Sequence, residues 1–502
     1  MRAVDLDYIV ASTGGELFAK ADGDYGEIKS VSIDSRTLGE KCIFFCTIGK
    51  KVDAHKFLPD IREKGCHNVV VSDLDWAEKM RACRDMNVIL VSDTVKALMA
   101  LATKYMDDWK DLPRVAITGS VGKTSTKEFT YAVLSSKYKC GKTPGNLNSE
   151  FGIPLTCFSY PEDIEMAICE IGVGGGPDMR ELVDIIKPDA AIITNVGSSH
   201  LDYFDNSRTK LQEAKLRITT GFKGDGLLVV NSDCQYLTPD EVVQHSEGEF
   251  ELVTVGTSEN AMYRLSEIRD RGIDGVKCTL DIEGRGRFEL SIPVIGAHNL
   301  FNSAEAVAIG DAFGIEPEDA IRALSNVVLA GNRLDIRRGE RFVVVNDTYN
   351  ASPESMKAGI DVISASEGRR RGAILGDMFE LGENSAELHA SVGEYAVSKG
   401  LDFLITIGEG AKAIAQGARS VAKASESTAQ GARSITQSSE STAQGAGTIA
   451  QGAQGSDMLI LSFDSKQEAL EQIFDILEDG DVVLVKASRG MALEDISEAI
   501  SV

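Results

Sequence analysis

A strand, a glycine turn and a helix follow one another within residues 115–129, VAITGSVGKTSTKEF. The apolar run 115–117 predicts a short buried strand, and the chain from Thr124 onward predicts a helix. The turn ends in Gly-Lys-Thr, as does the common phosphate-binding loop G-x-x-x-x-G-K-[ST]. Ile117 stands where that loop has its first glycine, five residues before Gly122. The sequence therefore predicts an α/β fold with an abbreviated phosphate loop; a plain glycine turn is the alternative.

Length, charge and cysteine usage limit the class of protein. With 502 residues, of which 43% are hydrophobic, the chain is long enough for about three domains. The formal net charge of −25 opposes binding to nucleic acid or to an anionic membrane. Nine cysteines without a C-x-x-C pair favour free thiols in a reducing cytosol. Cys42 and Cys46, in KCIFFCTI, are more typical of a strand than of a metal site.

No signal peptide or membrane span is predicted. The N-terminus has acidic residues where a signal peptide has an apolar core. No stretch reaches the roughly 18 apolar residues of a membrane span. We therefore expect a soluble, cytoplasmic protein that acts as a monomer, with no nucleic-acid partner and no membrane insertion.

Short apolar strands alternate with helical stretches along most of the chain, which is the pattern of a parallel α/β sheet. In the middle region the predicted strands are RVAITG, IEMAICEIG, DAAIITNVG and GLLVVNSD. After residue 340 they are RFVVVNDTYN, GAILGDM, LDFLITIGEG, MLILSF and DVVLVKASRG. A smaller α/β region before residue 110 contains KCIFFCTIG and HNVVVSD. The predicted fold class is α/β with three domains, at residues 1–108, 109–328 and 329–502.

A heptad repeat interrupts the last domain. From Ala415 the chain repeats seven-residue units, and SESTAQGA occurs at both 425–432 and 439–446. A coiled coil needs two apolar positions in each heptad, which the repeat lacks, and its recurrent glycines oppose a helix. We interpret residues 415–455 as a mobile, low-complexity insertion without chemistry of its own. A partner-binding role is the alternative.

Several polar residues are candidates for phosphate and metal chemistry. Backbone N–H groups of the loop and the N-terminus of the next helix favour bound phosphate. Lys123 would contact the β- and γ-phosphates of a nucleotide, and the Thr124 hydroxyl would bind Mg²⁺. Glu170 ends a buried strand, where a carboxylate is costly unless it meets a cation such as a metal. His200, in NVGSSH, is either a ligand or a structural histidine, and Lys215, in EAKLRI, is typical of a helix surface.

Five segments, in this order, resemble the Mur ligases of peptidoglycan assembly: TGSVGKTS, GNLNSEFGIPLT, EIG, TNVGSSHLDYF and EAKLRI. The resemblance implies an ATP-binding loop made of Gly119, Ser120, Val121, Gly122, Lys123, Thr124 and Ser125. It also implies that Glu170 and His200 bind two Mg²⁺ ions. Lys215 would be carbamoylated, so that a cation becomes an anionic oxygen ligand. Arg217 is a difference, since the family more often has Glu there.

The resemblance extends to both sides and covers nearly the whole chain outside the heptads. SVSIDSRTL and DAHKFL resemble the family's nucleotide-sugar domain, which implies that Ser35, Arg36 and Thr37 contact UDP. IGAHNLFNSAEA implies that Asn302 lies by the adenine, while Arg333 and Asp347 would close over ATP from a Rossmann-like C-terminal domain. The other implied substrate contacts are Asn146, Asn148, Tyr349, Asn350, Lys486, Ser488 and Arg489. The alternatives are a turn at GNLN and solvated surface cations.

The form YNASP, with ILGDMFELGENSAELH and SRGM, favours one activity within the family. It implies ATP- and Mg²⁺-dependent addition of D-alanyl-D-alanine to UDP-N-acetylmuramoyl-tripeptide, through an acyl phosphate and a tetrahedral intermediate. A ligase of the preceding step, or of the cyanophycin or folate type, is one alternative. A switch-type NTPase that binds partners is another, and a third places the function in the heptads.

Overall fold

The computed structural model describes residues 1–49, 52–199, 201–327, 334–423 and 458–501. These residues form three separate β-sheets, each with helices packed against it. The predicted three-domain α/β class is confirmed, and so is each strand named above. The domain boundaries at 108 and 328 remain predictions. No helix of the described ranges is long and apolar enough to cross a membrane.

The first sheet has the strand order β1-β5-β4-β3-β2, and only the β1–β5 pair is antiparallel. Its strands are β1 (Glu16–Ala19), β2 (Ser30–Ser32), β3 (Cys42–Phe45), β4 (Asn68–Val71) and β5 (Asn87–Leu90). Its helices are α1 (Leu6–Thr13), α2 (Leu58–Glu63), α3 (Leu74–Arg81) and α4 (Thr94–Asp107). Cys42 and Cys46 are buried in this core, and all nine cysteines are free, as predicted.

The second sheet has the order β14-β13-β12-β11-β10-β9-β6-β8-β7. Its strands are β6 (Arg114–Thr118), β7 (Cys140–Lys142), β8 (Met166–Glu170), β9 (Ala190–Ile193), β10 (Gly226–Asn231), β11 (Phe250–Gly256), β12 (Tyr263–Asp270), β13 (Val276–Ile282) and β14 (Gly286–Ile292). Its helices are α5 (Lys123–Leu134), α6 (Gly152–Ser159), α7 (Met179–Ile186), α8 (Arg208–Leu216), α9 (Pro239–His245), α10 (His298–Ala312) and α11 (Pro317–Leu324).

The order of the parallel strands positions the candidate site. β6 lies between β8 and β9, and all three are completely buried. Because parallel strands end at the same sheet edge, the loop after β6, Glu170 and the turn after β9 come together there. The antiparallel strands β12 to β14 were not predicted. β13 alternates buried and half-buried residues, since only one of its faces packs on the core.

The third sheet has the order β15-β16-β20-β17-β18-β19, with only β15 antiparallel to its neighbour. Its strands are β15 (Asp335–Arg338), β16 (Val343–Asp347), β17 (Arg371–Gly376), β18 (Phe403–Ile407), β19 (Leu459–Phe463) and β20 (Val482–Lys486). Its helices are α12 (Pro353–Ala365), α13 (Ser385–Ser398), α14 (411–423), α15 (Lys466–Ile476) and α16 (Glu494–Ile500). β16 and β20 are neighbours and end side by side at Asp347 and Lys486.

The start of the predicted insertion belongs to the folded domain. Residues 415–423 continue α14, and Ala415 and Ala418 are completely buried. Ala418 and Val421 pack in the same core cluster as α13. Small alanines at helical spacing can cover a core, although the repeat lacks the large apolar residues that usually predict such a helix. Residues 424–455 of the predicted insertion lie outside the described residues.

Candidate active site

The phosphate loop is held open by two glycines with positive φ. Gly119 has φ +152°, and Gly122, which precedes α5, has φ +88°. A Cβ atom at Gly119 would lie 2.0 Å from Thr194 Oγ1, so no side chain fits there. Thr194 Oγ1 donates a 2.6 Å hydrogen bond to Val121 O, and Val121 N donates to Asn195 Oδ1 at 2.9 Å. The turn after β9 therefore fixes the abbreviated loop.

Lys123 folds back over this loop. Its Nζ donates to Gly119 O at 2.8 Å and lies 3.4 Å from Ser120 O. The ammonium is thus held above the main chain whose N–H groups begin α5. A bound anion at this helix N-terminus would meet both the N–H groups and the ammonium. The loop fits a phosphate group, as the sequence predicts.

Glu170 lies at the centre of a buried polar cluster and is only 1% exposed. Thr124 Oγ1 donates to its Oε2 at 3.0 Å, and Asn148 Nδ2 donates to its Oε1 at 2.8 Å. Lys127 Nζ lies 3.6 Å from Oε2 and donates to Gly145 O at 2.8 Å. The cluster brings together three predicted residues and one that sequence analysis missed. Lys127 follows Lys123 by one helical turn, a spacing that puts both on one face of α5.

The donor set around Glu170 suits magnesium. A carboxylate and a hydroxyl are hard oxygen ligands, which Mg²⁺ prefers, and phosphate oxygens would complete its shell. Within the described residues there is no group of three or more His, Cys, Asp or Glu side chains that could hold a metal by itself. His200 lies outside the described residues, so its predicted role as a ligand stays a prediction. The cluster therefore fits a metal that is shared with a nucleotide.

Lys215 is not a surface residue. It lies on α8 and is 1% exposed. Burial, together with the charge of Lys123, holds the pKa of Lys215 well below its usual range. A lowered pKa favours the neutral amine, which is the form that reacts with carbon dioxide to give a carbamate. Arg217, at the end of α8, forms an ion pair with Asp178 before α7.

The third domain closes the site from the opposite side. Lys486 is 2% exposed; its Nζ forms an ion pair with Asp347 and donates to Asn350 O at 2.8 Å. Asn302, on α10 of the second domain, flanks the loop: its Oδ1 lies 3.1 Å from the point where a Cβ atom at Gly122 would be. A cavity of about 430 Å³ separates the loop from this wall. Predicted residues that line it are Ser120, Val121, Gly122, Lys123, Thr124, Ser125, Asn146, Asn148, Glu170, Asn302, Asp347, Tyr349, Asn350 and Lys486. Arg333 lies outside the described residues.

A second cavity, of about 330 Å³, adjoins the first. The residues that line both are Asn146, Ser199, Tyr349, Asn350, Ala351 and Ser352. Arg489 lies in the second cavity with its guanidinium 5.3 Å from the centre of the Tyr349 ring. Ser488 Oγ accepts a hydrogen bond from Phe379 N at 2.9 Å, and this holds Phe379 at the cavity wall. Phe379, which was not predicted, is 47% exposed.

The predicted UDP contacts lie elsewhere, in the first domain. Arg36 forms an ion pair of 2.7 Å with Asp34, and its side chain is 83% exposed. Thr37 lines a separate cavity of about 320 Å³, to which α6 of the second sheet contributes Leu155 and Phe158. Ser35 accepts a hydrogen bond at its backbone oxygen from Lys64. These three residues are thus near one another but apart from the cleft, which is the cavity between the phosphate loop and the third domain.

Comparison with known proteins identifies the family. The Mur ligase middle domain matches residues 117–310, and the Mur ligase, glutamate ligase domain matches residues 332–489. The chain belongs to the Mur ligase family.

Two similar curated proteins carry the name UDP-N-acetylmuramoyl-tripeptide–D-alanyl-D-alanine ligase. One from Bacillus subtilis (strain 168) is 32% identical over 473 residues, which cover 93% of this chain and 92% of the relative. One from Escherichia coli (strain K12) is 30% identical and covers 82% and 88%. A crystal structure of MurF from Acinetobacter baumannii has a TM-score of 0.83 at 23% identity, covering 100% of this chain and 99% of that one. That likeness shows the shared fold.

Proposed function

We propose that this chain is the ATP-dependent ligase that joins D-alanyl-D-alanine to UDP-N-acetylmuramoyl-tripeptide in peptidoglycan precursor synthesis. The family assignment and the names of relatives at 30% and 32% identity support this activity. ATP is the nucleotide, as in a MurF ligase from Thermotoga maritima solved with ADP, which has a TM-score of 0.74 at 24% identity and covers 94% of this chain and 97% of that one.

One observation carries the proposal. The phosphate loop opens into the larger cavity, and that cavity shares a wall with the second one. A γ-phosphate held at Lys123 would thus lie close to a compartment for another substrate. An NTPase that transfers phosphate to water has no need of this compartment. The shared wall supports transfer of the phosphoryl group to a carboxylate, followed by attack of an amine.

The chemistry follows from the poor leaving group of a carboxylate. Transfer of the γ-phosphoryl group to the tripeptide carboxylate forms an acyl phosphate, whose leaving group is phosphate. The dipeptide amine then attacks the carbonyl carbon, and the tetrahedral intermediate releases phosphate as the amide forms. Both reactants of the first step are anionic, so the ammonium of Lys123 lowers the barrier by neutralising charge as they approach. Closed domains would keep water away from the acyl phosphate.

Thr124, Glu170 and carbamoylated Lys215 are the described residues that would hold Mg²⁺, together with His200, which lies outside the described residues. The metal would supply further neutralisation of phosphate charge. Lys127 places its ammonium 3.6 Å from the buried Glu170 carboxylate, and a buried carboxylate needs such a cation nearby. Asn148 orients the same carboxylate through its amide.

The three remaining parts of the substrates have separate places. Arg489, Ser488 and Phe379 surround the second cavity, where Arg489 offers a bidentate partner for the dipeptide carboxylate. Asn146 on the shared wall would contact the muramoyl peptide. Ser35, Arg36 and Thr37 would bind the UDP end in the first domain.

Phosphate release tests this function directly. The enzyme is mixed with ATP, Mg²⁺ and UDP-N-acetylmuramoyl-tripeptide, with or without D-alanyl-D-alanine. Release that requires the dipeptide, with a product of matching mass, supports the proposal. Release with UDP-N-acetylmuramoyl-dipeptide and a diamino acid instead would assign the preceding step. Release with no acceptor at all would favour a switch-type NTPase.

A further inference from the structure

We propose that Glu354 is a positioning residue, which clamps the third domain onto the two segments of the second domain that carry His200 and Lys215. The inference rests on the proposed function, since it concerns how the ligase site is assembled. Glu354 lies in the first turn of α12, after Ser352 and Pro353. None of the roles considered above uses this carboxylate.

The contacts of Glu354 cross between the two domains. Its Oε1 accepts a hydrogen bond from Ser198 N at 2.9 Å and a second from Ser198 Oγ at 2.7 Å. Ser198 belongs to the turn after β9, two residues before His200. The same turn includes Asn195, which fixes the phosphate loop. One carboxylate of the third domain thus holds the turn on which the loop and the predicted metal ligand depend.

Two further features show that the fit is close. The guanidinium of Arg208, at the start of α8, lies 3.6 Å from Glu354 Oε1. α8 is the helix that carries Lys215. A Cβ atom at Gly197 would lie 3.0 Å from the Glu354 carboxyl carbon, so a side chain there would press on the carboxylate. The carboxylate therefore engages the turn and α8 together.

The position of Glu354 on α12 favours this role. An anionic side chain in the first turn of a helix is stabilised by the helix dipole. Glu354 also lines the larger cavity, as Ser199 of the turn does. Its Oε2 is shielded from solvent and has no hydrogen-bond partner among the described residues. The contacts of the carboxylate with Ser198 and Arg208 therefore involve Oε1, and they form only when the second and third domains are in contact.

Glu354→Ala tests the clamp. Loss of two hydrogen bonds to a charged acceptor is expected to lower kcat about 10- to 100-fold. KM for ATP is expected to stay within about threefold, because the phosphate loop keeps its own hydrogen bonds to Thr194 and Asn195 in the variant. Glu354→Gln keeps an acceptor for Ser198 and places its amide nitrogen where Oε2 has no partner. We expect Glu354→Gln to retain kcat within about fivefold. If the side chain acted only by filling space, Glu354→Met would retain kcat as well.

Glu354→Met therefore separates hydrogen bonding from packing, since it fills similar space without an acceptor. It should behave like Glu354→Ala. The matched control is Glu367→Ala, an exposed glutamate beyond the other end of α12, which should leave kcat unchanged. Ser198→Ala removes only the hydroxyl bond, and the double variant with Glu354→Ala should be no worse than Glu354→Ala alone.

Each result has a distinct meaning. Wild-type turnover that does not need D-alanyl-D-alanine overturns the proposed function. Dipeptide-dependent turnover with a wild-type kcat in Glu354→Met or Glu354→Ala overturns only the clamp, as does additivity in the double variant. If Glu354→Ala fails to fold in a thermal unfolding assay, Glu354→Gln, Glu354→Met and Ser198→Ala still decide the question.

Discussion

Glu170 and Lys127, beside the phosphate loop, are each 1% exposed, whereas Arg36 of the first domain exposes 83% of its side chain. In the cleft, the buried Glu170 carboxylate lies beside the Lys127 ammonium and accepts a hydrogen bond from the Asn148 amide. Around Arg36 the partner is a neighbouring Asp34, and solvent surrounds both. A buried charge is costly unless its partners are already in place, so the cleft is organised before any substrate binds. The exposed arginine can change partners at little cost.

The largest expected effect comes from removing the Lys123 ammonium from the phosphate loop. We expect Lys123→Ala to lower kcat about 1,000-fold, because the charge that neutralises the approaching anions is lost. Folding should be largely unaffected, since Lys123 lines the cavity rather than a hydrophobic core. Phosphate release under saturating substrates measures the effect. Lys96→Ala, at an exposed lysine on α4, is the control, and a comparable loss there would contradict the prediction.

A smaller effect is expected from the wall of the cleft. Lys486→Met leaves Asp347 buried without its cation, which should lower the free energy of unfolding by about 3 kcal/mol. The double variant Lys486→Met with Asp347→Leu should regain part of that stability, because no unpaired charge remains. Urea unfolding of the three proteins measures both values. Equal stability of the single variant and the wild type would show that the pair is not important for folding.

Arg36→Ala tests the exposed region. We expect KM for UDP-N-acetylmuramoyl-tripeptide to rise about tenfold, with kcat and KM for ATP nearly unchanged. Hydrogen bonds from Arg36 lower the pKa of Asp34 to about 2, so this pKa should rise in the variant. Steady-state kinetics and an NMR titration of Asp34 measure the two effects. Arg81→Ala, at an exposed arginine on α3, should change neither quantity.

The smallest effect concerns a buried acid that the cleft does not use. Glu305 on α10 is fully buried, neither of its carboxylate oxygens has a hydrogen-bond partner among the described residues, and burial raises its pKa well above the usual range. As pH rises above the pKa of an unfolded glutamate, the unfolded chain loses this proton and the native chain keeps it. Stability therefore falls with rising pH, and Glu305→Gln should remove that slope.

Urea unfolding at pH 5 and pH 8 measures the slope. Glu305→Gln is expected to gain on the order of 1 kcal/mol over the wild type at pH 8 and less at pH 5. KM for ATP should stay the same, although Asn302 lies on the same helix. Glu318→Gln, at an exposed position of α11, is the control. A slope that persists in Glu305→Gln would show that another group is responsible.

The same contrast explains how much the sequence could predict. The position of the loop at the cavity was predictable because Gly-Lys-Thr between a buried strand and a helix is typical of a phosphate loop. Gly119 and Gly122 adopt positive φ there. Glu170 was predictable because a carboxylate at the end of a buried strand needs a partner. Lys127 and Glu354 were not singled out, since a lysine or glutamate on a helix is usually solvated and only tertiary contacts reveal the exceptions.

The missed fold elements have a similar cause. β12, β13 and β14 form antiparallel pairs with one another, and the alternation within β13 does not show that these strands extend a mainly parallel sheet. The opposite error concerned residues 415–423, where a repeat of small residues concealed a helix that packs on the core. The pattern of α8 is typical of a solvated lysine at position 215, and it does not show that this lysine is buried near Lys123.

α14 and β19 have a consequence for the engineering of this chain. β19 is the edge strand of the third sheet, separated by β17 and β18 from the strands that end at Asp347 and Lys486. Residues 424–457 connect α14 to that edge. Residues inserted between α14 and β19 are therefore attached at a strand that lies two strands away from those lining the cleft. A fluorescent reporter or an affinity module could therefore replace residues 424–457, provided that the graft begins after Lys423 and leaves Ala415 and Ala418 in the core.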